Sequence, residues 1–97
     1  TDNKELRLYN VFNFPNPFNE KTKFTFELSS AAKVSINIYT IGGKIIKQLK
    51  SKSLSIGFNS IEWDGRNEFG EQAASGIYYY TINAGDFSAT SKMLLLK

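Results

Sequence analysis

Asp64, Asn67, Glu68 and Glu71 crowd carboxylate and amide oxygens into one short stretch, and a hard cation such as calcium is held by about six to eight oxygens of this kind. Their spacing fits no calcium-binding loop, however, and Asp64-Gly65 reads as a turn at the end of a strand. Glu27 and Glu62 fall on strand faces expected to be wet, without the second carboxylate that glycoside hydrolysis needs beside each. The chain has no histidine and no cysteine. A serine therefore lacks its usual base, and neither thiolate nor imidazole ligands for zinc are available. No G-x-S-x-G elbow, phosphate-binding loop or dinucleotide fingerprint occurs. The sequence thus predicts no catalytic residue, no metal site and no cofactor, and so no enzyme.

Two other groups bear on binding. Tyr39, Phe69 and Tyr79 could stack on sugar rings, although tyrosine also suits a half-buried strand for packing reasons alone. Lys44, Lys47, Lys50 and Lys52 stand close together in a chain of formal net charge +3. No aromatic residue interleaves them. They read as solvated lysines of a hairpin that keep a sheet edge from pairing, and no nucleic-acid partner is expected.

The elements that must carry these residues are strands. Runs rich in β-branched and aromatic residues recur about every ten residues, separated by Gly, Asn, Asp and Ser, as in an antiparallel sandwich. Residues 6–14 form the first, closed by Pro15 and Pro17, whose missing amide hydrogens confine it to an edge. In residues 23–28, Phe24, Phe26 and Leu28 alternate with polar neighbours, and Val34, Ile36 and Ile38 do the same in residues 34–39. Gly42-Gly43-Lys44 supplies the positive φ of a tight hairpin, with a returning strand over 45–49 and a polar stretch over 50–55. Residues 58–63 place Asn59, Ile61 and Trp63 on one face, and the Trp63 ring can bury up to ~250 Å² as a core anchor. After the irregular stretch 64–75 come strands over 76–84 and 87–96, joined by the turn Gly85-Asp86. Tyr78, Tyr80, Ile82, Met93 and Leu95 point inward, which leaves Leu94 and Leu96 on a face with no evident cover.

The expected fold is an all-β, immunoglobulin-like (fibronectin type III-like) antiparallel β-sandwich of about seven strands. Residues 1–12 form a linker and the start of the first strand, and residues 13–97 the folded domain. At 97 residues, 41% hydrophobic and 14% aromatic, the chain can bury one core without staples. Its longest apolar run, 93–96, is far too short to span a bilayer. It begins without Met or a leader, as expected of a piece or processed form of a larger protein, so a missing leader does not argue against export.

Several motifs then fall in a telling order. They are Phe14-Pro15-Asn16-Pro17-Phe18-Asn19, residues 34–39 leading into Gly42-Gly43-Lys44, Trp63-Asp64-Gly65-Arg66-Asn67, Ala74-Ser75-Gly76-Ile77-Tyr78-Tyr79-Tyr80 and Ser91-Lys92-Met93-Leu94-Leu95-Leu96-Lys97. This series resembles the C-terminal sorting domain of the type IX secretion system and equally the related immunoglobulin-like domain of flagellar hook-capping proteins. The likeness runs from about Asn13 to Lys97.

The resemblance implies a non-catalytic module that directs secretion and cell-surface attachment of a larger exported protein. Its partners would be a covalently linked N-terminal cargo domain, an outer-membrane secretion translocon and surface-attachment machinery, and it would pass through the periplasm to the outer membrane or cell surface. Pro15, Asn16, Pro17, Gly43, Lys44, Trp63, Asp64, Gly65, Gly76 and Tyr78 carry the family motifs in structural roles. Lys92, Met93, Leu94, Leu95, Leu96 and Lys97 form the expected recognition strand, and an uncovered edge strand offers a route to self-association. The rival functions are a carbohydrate-binding or adhesive module of an extracellular enzyme and an assembly domain of a flagellar hook cap.

Overall fold

A computed structural model describes residues 6–97, which form seven strands: β1 (Leu8–Phe14), β2 (Thr22–Leu28), β3 (Ala32–Thr40), β4 (Ile45–Leu54), β5 (Gly57–Trp63), β6 (Gly76–Ala84) and β7 (Phe87–Leu95). They pair antiparallel into a three-stranded sheet of order β1-β2-β5 and a four-stranded sheet of order β4-β3-β6-β7. No helix occurs among the described residues. The all-β sandwich follows from the period-two alternation of the sequence: Phe24, Phe26 and Leu28 of β2 are buried against Val34, Ile36 and Ile38 of β3, Tyr80 and Ile82 of β6, and Met93 and Leu95 of β7. The Phe24 and Tyr80 rings meet across the sheets at a centroid distance of 4.6 Å. Each of these large side chains contributes about 1.5–3 kcal/mol by leaving water.

Several boundaries differ from the sequence expectation: β2, β3 and β5 gain one or two residues at their ends, and three other strands differ as well. β4 continues through residues 50–54, where a polar stretch was expected. Its backbone pairs with Ala32, Lys33 and Val34, so main-chain hydrogen bonding to β3 extends a strand whose side chains there bury little. The one-residue register shift between Val34 and Ile36 marks the bulge that separates this extension from the first half. β1 starts at Leu8 rather than residue 6 and is interrupted by a bulge between Tyr9 and Phe12, where Asn10 takes a φ of 53°. β7 stops at Leu95, one residue short. Residues 1–5 of the expected linker lie outside the described residues.

The sandwich is elongated, with a long axis of 48 Å. One end holds Leu6, residues 29–31 and the Gly85-Asp86 turn, where a Cβ on Gly85 would lie 2.8 Å from Leu6 Cδ2. The opposite end holds the 15–21 loop, the 41–44 turn, the 64–75 loop and the end of β7, as the pairings Thr22–Trp63, Thr40–Tyr78 and Gly76–Leu95 require. The motif residues of the sequence lie at this second end.

Candidate docking site at the closed end of the sandwich

Three aromatic rings form the floor of that end. Phe18 is 3% exposed and meets Trp63 edge-on at 5.8 Å, and Trp63, 1% exposed, meets Tyr78 edge-on at 6.3 Å. Such T-shaped pairs add about 0.5–1.5 kcal/mol beyond burial. Each polar handle finds a carbonyl: Trp63 Nε1–H donates to Arg66 at 2.9 Å and the Tyr78 hydroxyl to Ala74. Burial pushes the Tyr78 phenol above its ordinary pKa.

The loop from Pro15 to Phe18 fastens this floor to β7. Both Phe14-Pro15 and Asn16-Pro17 are cis. Thr22 Oγ1 donates to the Pro15 carbonyl at 2.8 Å, and the buried Asn13 amide donates to Thr22 at 3.2 Å. Phe18 then runs parallel to the end of β7, opposite Leu95. Its N–H donates to the Leu94 carbonyl at 3.0 Å, and its carbonyl accepts from Leu96 N–H at 2.8 Å. Asn16 Oδ1 accepts from Leu94 N–H at 3.0 Å. The outward N–H and carbonyl of Leu94 and the N–H of Leu96 are therefore already satisfied, so a partner meeting this edge finds mainly side chains rather than free backbone.

Of the residues expected to form the recognition strand, Met93 and Leu95 are core, whereas Lys92, Leu94, Leu96 and Lys97 face outward to varying degrees, Leu96 being 51% exposed. Lys97 folds back instead of projecting: its N–H donates to Ser75 Oγ and its Nζ to Gln72 Oε1, each at 2.9 Å. A groove of about 350 Å³ lies here, lined by Asn16, Ile77, Lys92, Met93 and Leu94. The structure thus brings the proline loop, the start of β6 and the terminal strand onto one surface with an apolar floor and a lysine rim.

The remaining motif residues support it. Gly65 has a φ of +78°, and a Cβ there would sit 2.5 Å from the Glu20 carbonyl oxygen. No L side chain fits that approach. Asp64 accepts from Arg66 N–H at 3.0 Å and so makes the expected turn. Gly43, with a φ of 94°, lets Lys44 N–H reach Thr40 Oγ1 at 3.1 Å and close the β3–β4 hairpin. Gly76 opens β6 opposite Leu95.

The oxygens of the 64–75 loop serve the loop itself and the neighbouring strand β4. Asn67 Oδ1 accepts from Phe69 and Glu71 N–H at 2.9 and 3.0 Å, and Glu68 Oε2 accepts from Gln48 N–H at 2.8 Å. Among the described residues no three His, Cys, Asp or Glu side chains gather to hold a metal. Of the three candidate stacking aromatics, Tyr39 and Tyr79 stand side by side as cross-strand partners, while Phe69 is 86% exposed on the separate 64–75 loop. Sequence reasoning missed Phe18 as a buried anchor. Its position directly after Pro17, with polar residues following, was the available signal.

The fold and its closed end define an immunoglobulin-like β-sandwich domain. The sequence model of the FlgD Ig-like domain matches residues 13–87, and the chain belongs to that family. It is 40% identical over 65 residues, 66% of this chain, to the basal-body rod modification protein FlgD of Buchnera aphidicola subsp. Schizaphis graminum, and it spans 29% of that relative's length. Among solved structures, FlgD of Xanthomonas campestris, studied for the hook capping essential for flagellar assembly, is similar with a TM-score of 0.63 and 27% identity, covering 92% of this chain and 64% of that one. Dimeric latent PorU of Porphyromonas gingivalis shares the fold with a TM-score of 0.75 and 23% identity, covering 95% of this chain and 9% of PorU.

Proposed function

We propose that the domain is a non-catalytic docking module of a larger exported protein, working as the immunoglobulin-like part of a hook-capping protein and holding an assembly together rather than transforming a substrate. The family match over residues 13–87 carries this reading. The closed end agrees with it: a rigid, aromatic-floored surface opposite the end where Leu6 lies suits a module that must present one face to a partner. In a flagellated bacterium, the matched segment of the resident FlgD is replaced by residues 6–97, and hooks are counted by electron microscopy. Restored hooks and swimming are expected. A chimaera that accumulates folded yet makes no hooks would contradict the reading.

A second reading, sorting of a cargo through the type IX system, is favoured by one specific observation. Asn16, Ile77 and Lys92–Leu94, which belong to three separate motifs, meet around one groove. In that reading an outer-membrane translocon recognises the groove during transit from the periplasm to the cell surface. Deleting residues 93–97 would also strip Met93 and Leu95 from the core, so substitutions of outward residues test it better. A reporter with a Sec signal and this domain at its C-terminus is expected at the surface of a type IX host, and retained in the periplasm with Lys92→Ala and Leu94→Ser. Equal display of both, or of neither, removes this reading.

A further inference from the structure

The four strands of the larger sheet contain no Asp or Glu, while Lys33, Lys47, Lys50, Lys52 and Lys92 all lie on them. Both strand carboxylates, Glu27 and Glu62, are on the smaller sheet. On the outward face of the larger sheet the pairings set residues in level rows: Ile45, Tyr39, Tyr79 and Lys92 form one, and Gln48, Asn37, Thr81 and Thr90 the next. Ser35, Asn83 and Ser88 form a third. The Thr81 and Thr90 hydroxyls bond each other at 2.9 Å. The side-chain amides of Asn37, Gln48 and Asn83 take no partner among the described residues and remain open to a ligand. A groove of about 250 Å³ runs along this face beside Ser35, Asn37, Gln48 and Lys50.

We infer that this face binds an acidic polysaccharide, with Tyr39 and Tyr79 as the stacking platform, the amide and hydroxyl rows reading ring hydroxyls, and Lys33, Lys50 and Lys92 meeting the carboxylates. Strands about 4.8 Å apart repeat these groups at roughly the spacing of successive pyranose rings. Amides and hydroxyls each donate and accept, which matches sugar hydroxyls. The two rows Gln48-Asn37-Thr81-Thr90 and Ser35-Asn83-Ser88 hold no apolar anchor of the kind a protein partner needs at an interface core. Neither Arg7 nor Arg66 lies on it, so the forked contacts that favour phosphate backbones are missing. Charge complementarity selects an acidic over a neutral glycan, because no carboxylate on these strands opposes one.

The test is affinity electrophoresis of the 97-residue chain in polygalacturonate, with cellohexaose and polyglutamate as comparators by titration at physiological salt. Binding to polygalacturonate is expected to exceed binding to either comparator by about tenfold or more, and Tyr79→Ala and Asn37→Ala are each expected to weaken it by about tenfold. Phe12→Ser, on the opposite sheet, changes nothing. The Asn37 side chain makes no hydrogen bond among the described residues, so Asn37→Ala keeps the test decisive if Tyr79→Ala lowers stability. No retardation by polygalacturonate overturns the inference, as does equal binding of polyglutamate that survives both substitutions, which would mark a plain lysine patch. Equal binding of cellohexaose overturns the acidic class.

Discussion

The two edge strands of the four-stranded sheet are finished in different ways. β7 is sealed at its end by a segment from across the sandwich: Phe18 pairs with it in parallel, Asn16 takes the Leu94 amide, and Met93 and Leu95 are buried beneath. β4 buries no residue fully. Its edge is covered only near Ile46 and Gln48, where Glu68 accepts from Gln48 N–H and donates its own N–H to the Ile46 carbonyl at 3.1 Å. Beyond that point solvated Lys50 and Lys52 guard it. An edge held by packed aromatic residues can serve as a rigid surface, whereas an edge held by charge mainly avoids unwanted pairing. The family motifs concentrate at the first kind.

The largest test of this contrast is Phe18→Ala. It removes a buried ring and its edge-on contact with Trp63, and denaturant unfolding should show a loss of about 3–5 kcal/mol. Asn16→Ala comes next. It leaves the Leu94 amide without its acceptor, and the same measurement should register about 1 kcal/mol. On the other edge, Glu68→Gln disrupts the Lys47–Glu68 pair, 3.7 Å long and half exposed on the carboxylate side, and should cost less than about 1 kcal/mol, shrinking further in salt. If Glu68→Gln cost more than Asn16→Ala, the two edges would not differ as described.

The smallest effect lies in the core between them. Burial pushes the Tyr80 phenol pKa up, the approach of Ser91 offsetting this only in part and without a well-formed hydrogen bond. Because the folded value lies above the unfolded one, Tyr80 supports the fold fully below the ordinary tyrosine value of about 10. That support is lost as pH rises through the folded value. Tyr80→Phe should leave neutral-pH stability unchanged or raised by up to about 1 kcal/mol, and it should move alkaline unfolding to higher pH in a circular-dichroism titration.

Much of the fold was legible because period-two alternation reports burial directly: Phe24, Phe26 and Leu28, or Tyr78, Tyr80 and Ile82, could face only one way. The 50–54 extension of β4 was not legible, because it rests on backbone pairing with Ala32–Val34 and only its last residue, Leu54, packs against the core, which leaves no apolar period in the side chains. At the closed end the motif residues were identifiable one by one. Their meeting was not, since Asn16 reaches Leu94 across 78 positions of sequence and only the closure of two sheets brings them together. Leu94 and Leu96 do face outward, Leu96 being half exposed, but that Phe18 takes their main-chain groups was hidden for the same reason, because local pattern leaves Phe18 in a loop.

Amide hydrogen exchange at Leu94 and Leu96, measured against Ser51 and Ser53 of β4, tests most directly whether the end of β7 is a built docking surface. The account predicts that Leu94 and Leu96 exchange as slowly as the central strands β3 and β6, while Ser51 or Ser53 exchanges orders of magnitude faster. Leu94 and Leu96 exchanging as fast as a frayed terminus would contradict it.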